Sequence, residues 1–183
     1  MPAKKQITKQ MILSSGLELL KSSGMEAVNV NSLAKALNCS TQPIYHSFAN
    51  IDALRIELTS LAVTTFLREM KSMCGEDSVT LYGVPYIQFA QKEAMLFNFL
   101  FMRQNAFTEL KEILSPMINH AIDNLMGKYH ISRDEADKLH DQLWVHTHGI
   151  AAMIATGFCD WNMKKASKML RECEISLTQK YGE

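Results

Sequence analysis

Val30-Asn31-Ser32-Leu33-Ala34-Lys35-Ala36-Leu37-Asn38-Cys39-Ser40-Thr41-Gln42-Pro43-Ile44-Tyr45-His46-Ser47-Phe48 is the stretch on which the reading of this chain turns. Val30, Leu33, Ala34 and Leu37 recur at helical spacing. They follow Asn29, a residue type that starts helices by accepting a hydrogen bond from an otherwise unpaired amide. After Asn38-Cys39, Ser40-Thr41 repeats the cap signal and opens a second helix of barely two turns that ends near Phe48. Pro43 falls in its first turn, where the missing N–H is no loss and the fixed φ is already helical. Ile44 and Phe48 are four residues apart and share one face, which turns inward. Two short helices joined by a turn of about three to four residues are the pattern of a helix-turn-helix.

With Ile44 and Phe48 inside, Thr41, Gln42, Tyr45 and His46 point outward. That outward set suits DNA. Glutamine pairs bidentately with adenine, and a threonine methyl meets a thymine methyl. Tyr45 and His46 donate to phosphates, which fix register without reading sequence. Ser40 and Thr41 place hydroxyls and free amides at a helix start, where a phosphate oxygen is at home. A plain helical hairpin with a polar outer face carries the same pattern, so geometry alone leaves both readings open.

Outward from this stretch nearly everything reads as helix, and no alternating strand pattern is present. A helix over 8–23 carries Ile12, Leu13, Gly16, Leu19 and Leu20 as one apolar stripe, with Gly24 as its stop. Asn50 caps a long helix through about residue 73, and Gly75-Glu76-Asp77-Ser78 breaks the chain. Further helices are predicted over 79–93, 94–104, 107–127, 132–158 and 161–181. Ser132 and Glu135 form a capping-box signature, and Pro85 predicts a kink. The fold class is all-α, with about nine helices: a three-helix head over 1–50 and a helical body over 51–183.

The chain has 183 residues, 47% hydrophobic and 21% charged, so it is long enough for a packed core and too apolar for global disorder. Its 19 basic residues balance 19 acidic ones, which excludes a uniformly basic coat. The balance is uneven. Residues 1–48 hold five lysines against two glutamates, and residues 49–183 hold fourteen Lys/Arg against seventeen Asp/Glu. The first quarter is therefore the part suited to an anionic partner. Cys39, Cys74, Cys159 and Cys173 form no CxxC pair and read as free thiols of a reducing cytoplasm. The start shows no apolar signal core. The most apolar run, 96–102, is far short of the roughly 20 residues that span a membrane.

Ile12-Leu13-Ser14-Ser15-Gly16-Leu17-Glu18-Leu19-Leu20, Gly24, Leu33-Ala34-Lys35-Ala36-Leu37 and Ser40 through Phe48 resemble the tetracycline-repressor (TetR) family over about residues 8–54, most specifically at Ile44-Tyr45-His46-Ser47-Phe48. The resemblance implies an all-helical homodimer with a DNA-binding head and a ligand-sensing body. Carried over residue by residue, Thr41, Gln42 and Pro43 lie nearest the bases and Tyr45 and His46 lie on phosphates. Lys5, Asn29 and Ser40 complete the expected DNA-binding set. The sequence departs from the family at Ile51, where a phosphate-binding lysine is usual. It departs also at Gln42, where a small glycine is usual, and at Gly16, where alanine is common. Lys4, Lys5 and Lys9 of the N-terminal arm are expected to make up the missing charge.

A second resemblance lies in the body. Tyr86-x-x-Phe89-Ala90, Leu96-Phe97, Phe101-Met102 and Trp144-Val145-His146-Thr147-His148-Gly149 look like a C-terminal subclass of the family with a Trp-x-x-x-His-Gly motif. Tyr86, Phe89, Phe97, Phe101, Met102, Met117, Trp144 and His148 are the candidates to line an effector site, since mostly apolar walls with few polar groups suit a small molecule. The same stripe also reads as ordinary core. Gly149, Ala151, Ala152, Ala155 and Gly157 make the following helix small-sided, which predicts a close helix–helix contact, and the family places a dimer interface there.

No catalytic motif is present, and the chain is read as a regulator rather than an enzyme. His146 and His148 stand about 200° apart around a helix and cannot chelate one metal together. No metal or cofactor is expected. The expected partners are a double-stranded operator, a second copy of the chain and an unidentified small effector, with no membrane.

Overall fold

The computed structural model describes residues 6–74 and 83–181, apart from the side chains of Phe107 and Lys180. Those residues form nine α-helices, two 3-10 turns and no strand, so the all-α expectation stands. The helices are α1 (Lys9–Ser23), α2 (Val30–Ala36), α3 (Gln42–Ser47), α4 (Ile51–Cys74), α5 (Gly83–Lys92), α6 (Ala94–Phe101), α7 (Ala106–Tyr129), α8 (Arg133–Ala155) and α9 (Met163–Thr178). The chain divides into two compact units, Met1–Leu67 and Arg68–Glu183, with the division inside α4. The break expected at Gly75 to Ser78 lies outside the described residues.

The first unit is built from caps and one shared core. The Thr8 hydroxyl accepts the Met11 N–H at 3.2 Å and starts α1. Asn29 accepts the Ser32 N–H at 3.0 Å to start α2, and Asn50 accepts the Ala53 N–H at 2.8 Å to start α4. Gly24 ends α1 at φ 79° and ψ 174°, a combination open essentially to glycine. Ile12, Leu20, Leu33, Ile44, Phe48, Leu54 and Leu58 are buried, and each contributes about 1.5–3 kcal/mol relative to exposure. Gly16 faces Leu58 and Leu33 at distances an alanine methyl also tolerates, 3.4 and 3.8 Å.

The second cap signal does not act as a cap. Thr41 is itself helical (φ −71°, ψ −16°) and makes no side-chain cap bond. The Ile44 and Tyr45 N–H groups bond instead to its carbonyl, at 3.1 and 3.3 Å. Pro43 does lie in the first turn of α3, as its chemistry requires.

In the second unit α8 is the hub, with α5, α6, α7 and α9 all packed on it. Its start is the expected capping box, in which Ser132 and Glu135 satisfy each other's backbone N–H. Pro85 lies two residues into the described part of α5, and residues 79–82, at the expected start of this helix, lie outside the described residues. The interior proline is Pro116 of α7. Its missing N–H would leave the Glu112 carbonyl short of a donor, and the Ser115 hydroxyl donates to that carbonyl at 2.9 Å.

A methyl at Gly149 would meet nothing within 4 Å among the described residues, whereas at Gly83 a methyl carbon would sit 2.6 Å from a Leu170 methyl. Asn38, Asn105 and His130 take φ of 51°, 60° and 52°: Asn38 between α2 and α3, the other two bracketing α7. No helix among the described residues is long and apolar enough to cross a membrane.

Candidate functional site

The short α3 presents its polar face to solvent because Ile44 and Phe48, only 2% and 4% exposed, hold its other side in the core. Tyr45 is 61% exposed, and Gln42, His46 and Ser40 are also exposed. Thr41 and Pro43 are half-buried at its start. Two hollows flank the helix. One is lined by Gln6, Ile7, Ser40, Gln42 and His46, the other by Asn29, Asn31, Tyr45, Asn50, Ile51 and Arg55. The expected reading residues are thus brought together on one surface.

Two members of the expected set stand differently. Lys5 lies outside the described residues. Asn29 is exposed, but its side chain already serves the backbone, accepting from Ser32 and donating to the Ala27 carbonyl at 3.3 Å. Lys9 is paired with Glu57 at 2.6 Å and lies 5.1 Å from the Phe48 ring centroid, with half of its side chain exposed. Sequence reading passed over Arg55, one turn beyond Ile51, although its spacing puts it on the same side of α4.

In the body, Tyr86 of α5 is the centre of a ring cluster. Phe97 and Phe101 of α6 and Trp144 of α8 lie 5.4, 5.3 and 5.0 Å from it, centroid to centroid. The Tyr86 hydroxyl is 3.0 Å from His148 Nδ1. Burial pushes the His148 pKa down, which favours the neutral ring. In the tautomer protonated on Nε2, Nδ1 accepts the phenol hydrogen. Five of the eight expected lining residues therefore meet. Phe89 is fully buried on α5, Met117 is half-buried, and Met102 is 44% exposed at the end of α6. A polar residue not foreseen lies nearby on α6. Asn98 donates to the Ala155 carbonyl at 3.4 Å, and its buried Oδ1 has no partner.

His146 is turned away from His148, as the helical angle requires. It lines a groove with Val145, Cys173 and Leu177, and its Nε2 is buried without a partner. No group of three or more His, Cys, Asp or Glu among the described residues is arranged to hold a metal ion.

Residues 12–58 match the family model described as bacterial regulatory proteins of the tetR family. None of the curated proteins matches the chain. Among solved structures, a TetR-like transcriptional regulator from Rhodococcus sp. RHA1 is similar at 12% identity, with 96% of each chain covered and a TM-score of 0.68. RolR, crystallised without ligand, is similar at 13% identity, with 96% of this chain and 97% of that chain covered and a TM-score of 0.58. At these identities the likeness is one of fold. The buried Ile44 and Phe48 and the exposed Gln42, Tyr45 and His46 fall inside the matched residues, so the head is similar to the tetR family over 12–58, and the chain shares its fold with a TetR-like regulator over 96% of its length.

Proposed function

We propose that this protein is a sequence-specific transcriptional regulator: a cytoplasmic homodimer that represses from a palindromic operator and is released by a small molecule bound in the body. The observation that carries the reading is the outward face of α3, where Gln42, Tyr45 and His46 stand exposed over a core closed by Ile44 and Phe48. Gln42 and Thr41 read base edges, and Tyr45 and His46 hold phosphates. Pairing is supported by apolar groups left on the outside of the body. Val145 of α8 is 70% exposed and Ile175 of α9 is 53% exposed, and Gly149 opens onto free space. A symmetric pair through these helices gives two recognition helices, which meet successive major grooves when about 34 Å apart.

The Tyr86–His148 pair supports an effector of mixed character, with apolar bulk for the rings and one hydrogen-bonding group for the pair. An effector lowers operator affinity only as far as it binds the released state more tightly than the bound one. Nothing in the ring cluster calls for catalysis, and no reaction is assigned to it.

Selection of bound DNA from a random duplex library at two salt concentrations tests this reading. Recovery of a palindrome that survives the higher salt is the expected result. Ile51 favours a second reading, in which the head no longer holds a specific operator and the chain serves as a small-molecule-binding or interaction protein. Failure to recover any sequence, with and without candidate effectors, would support that reading instead.

A further inference from the structure

The hollow beside Tyr45 is built for an anion. Asn31, Tyr45 and Asn50 line it with hydrogen-bond donors, and Arg55 brings the positive charge. No carboxylate lines it among the described residues. Asn50 spends its carbonyl oxygen on the Ala53 N–H, which leaves its amide hydrogens as the group it can offer. The Arg55 Nε is buried and has no partner. Among the described residues its ion pair is a loose one, with Nη1 3.6 Å from Asp52, whose side chain is 78% exposed. A guanidinium held by so little on its own chain, with Asn31, Tyr45 and Asn50 beside it among the apolar Val30, Ala49 and Ile51, matches a phosphate in shape and charge.

We propose that this hollow binds one phosphodiester of the DNA backbone and that Arg55 is its charged contact. Arg55 thereby takes the part that Ile51, with no charge, cannot fill. Tyr45 belongs both to the outward face of α3 and to the hollow, so a phosphate held there flanks the groove that α3 enters. The proposal rests on the reading of the head as a DNA reader.

The test uses the full chain and a mixed-sequence DNA duplex, with the dissociation constant measured across a salt series. Arg55→Gln is expected to lower the slope of log affinity against log salt by about one unit while the thermal transition stays in place. Asp52→Asn should leave the slope as steep as in the parent or steeper. A slope unchanged in Arg55→Gln overturns the proposal. Should Arg55→Gln fail to fold, Arg55→Lys decides: a several-fold weaker complex is expected from loss of the two-pronged contact, and unchanged affinity overturns the assignment. Saturable stabilisation of the parent by millimolar inorganic phosphate, absent in Arg55→Lys, would make the hollow a small-anion site and overturn the backbone assignment. A parent chain that binds no duplex at any salt would instead remove the DNA-reading function itself.

Discussion

The Tyr86 hydroxyl meets Nδ1 of His148 at 3.0 Å, joining α5 to α8 across sixty-two residues of sequence. Tyr86 is fully buried, so its hydroxyl has no solvent to fall back on. The contact ties the two helices at the centre of the ring cluster and places a hydrogen bond among its rings.

Tyr86→Phe removes the phenol oxygen while keeping the ring. It is expected to cost the body about 1–2 kcal/mol, because a buried partner is left unsatisfied. Urea unfolding followed by tryptophan fluorescence reads this directly. A change below measurement error would mean that water or another group replaces the hydroxyl at no cost.

Acid should weaken the body by a route with a definite sign. Burial is the main cause that lowers the pKa values of His140 and His148 from 6.5. The unfolded chain takes up protons that the folded one resists, so stability is complete above that value and falls as pH drops through it. The loss levels off once pH is below the lowered values. Unfolding midpoints measured against pH should be flatter in the double variant His140→Gln, His148→Gln; an identical pH dependence would assign the acid response elsewhere.

Base reading and phosphate holding should separate by mutation. Gln42→Ala is expected to relax preference at one base position, at a cost of about 1–3 kcal/mol on the preferred sequence. Tyr45→Phe is expected to weaken binding to all sequences alike. Binding arrays over single-base variants of the selected site show which pattern holds, and indistinguishable patterns would defeat this division of roles.

Two glycine substitutions should move in opposite directions. Gly83→Ala places a methyl 2.6 Å from Leu170 and is expected to destabilise the body by about 1–3 kcal/mol. Gly149→Ala meets nothing within 4 Å in its own chain and should stabilise α8 by roughly 0.5–1 kcal/mol. If a second copy packs on α8, the same change weakens self-association on dilution, which sedimentation measures. An association constant unaffected by it would move the pairing surface away from Gly149.

Local rules made much of this fold legible. Asn29, Asn50 and Ser132 are short polar residues just before apolar periodicity, and each caps the helix it announces. Ser40-Thr41 announced a cap in the same terms and did not form one, because Thr41 had already taken helical angles. Pro85 and Pro116 show the same limit. A proline's effect depends on its place in a helix, and at Pro116 it depends on whether a neighbour such as Ser115 serves the carbonyl left without a donor. The outward face of α3 was readable since both of its buried anchors lie within the same two turns. Pairings across distance were not. Nothing near Lys9 in sequence points to Glu57, and nothing in Arg55 itself says that its charge is left for an outside partner.

Asn38, Asn105 and His130 bear on how the sequence is free to drift. Each holds a left-handed backbone that most side chains reach only with strain, and glycine, asparagine, aspartate and histidine are the ones that enter it at little cost. An apolar core position such as Leu33 tolerates exchange among residues of similar volume, which leaves many neutral routes open. These three reversals leave few. A β-branched residue at Asn38 would strain the turn that sets α3 and shift its outward face without replacing a single residue of that face.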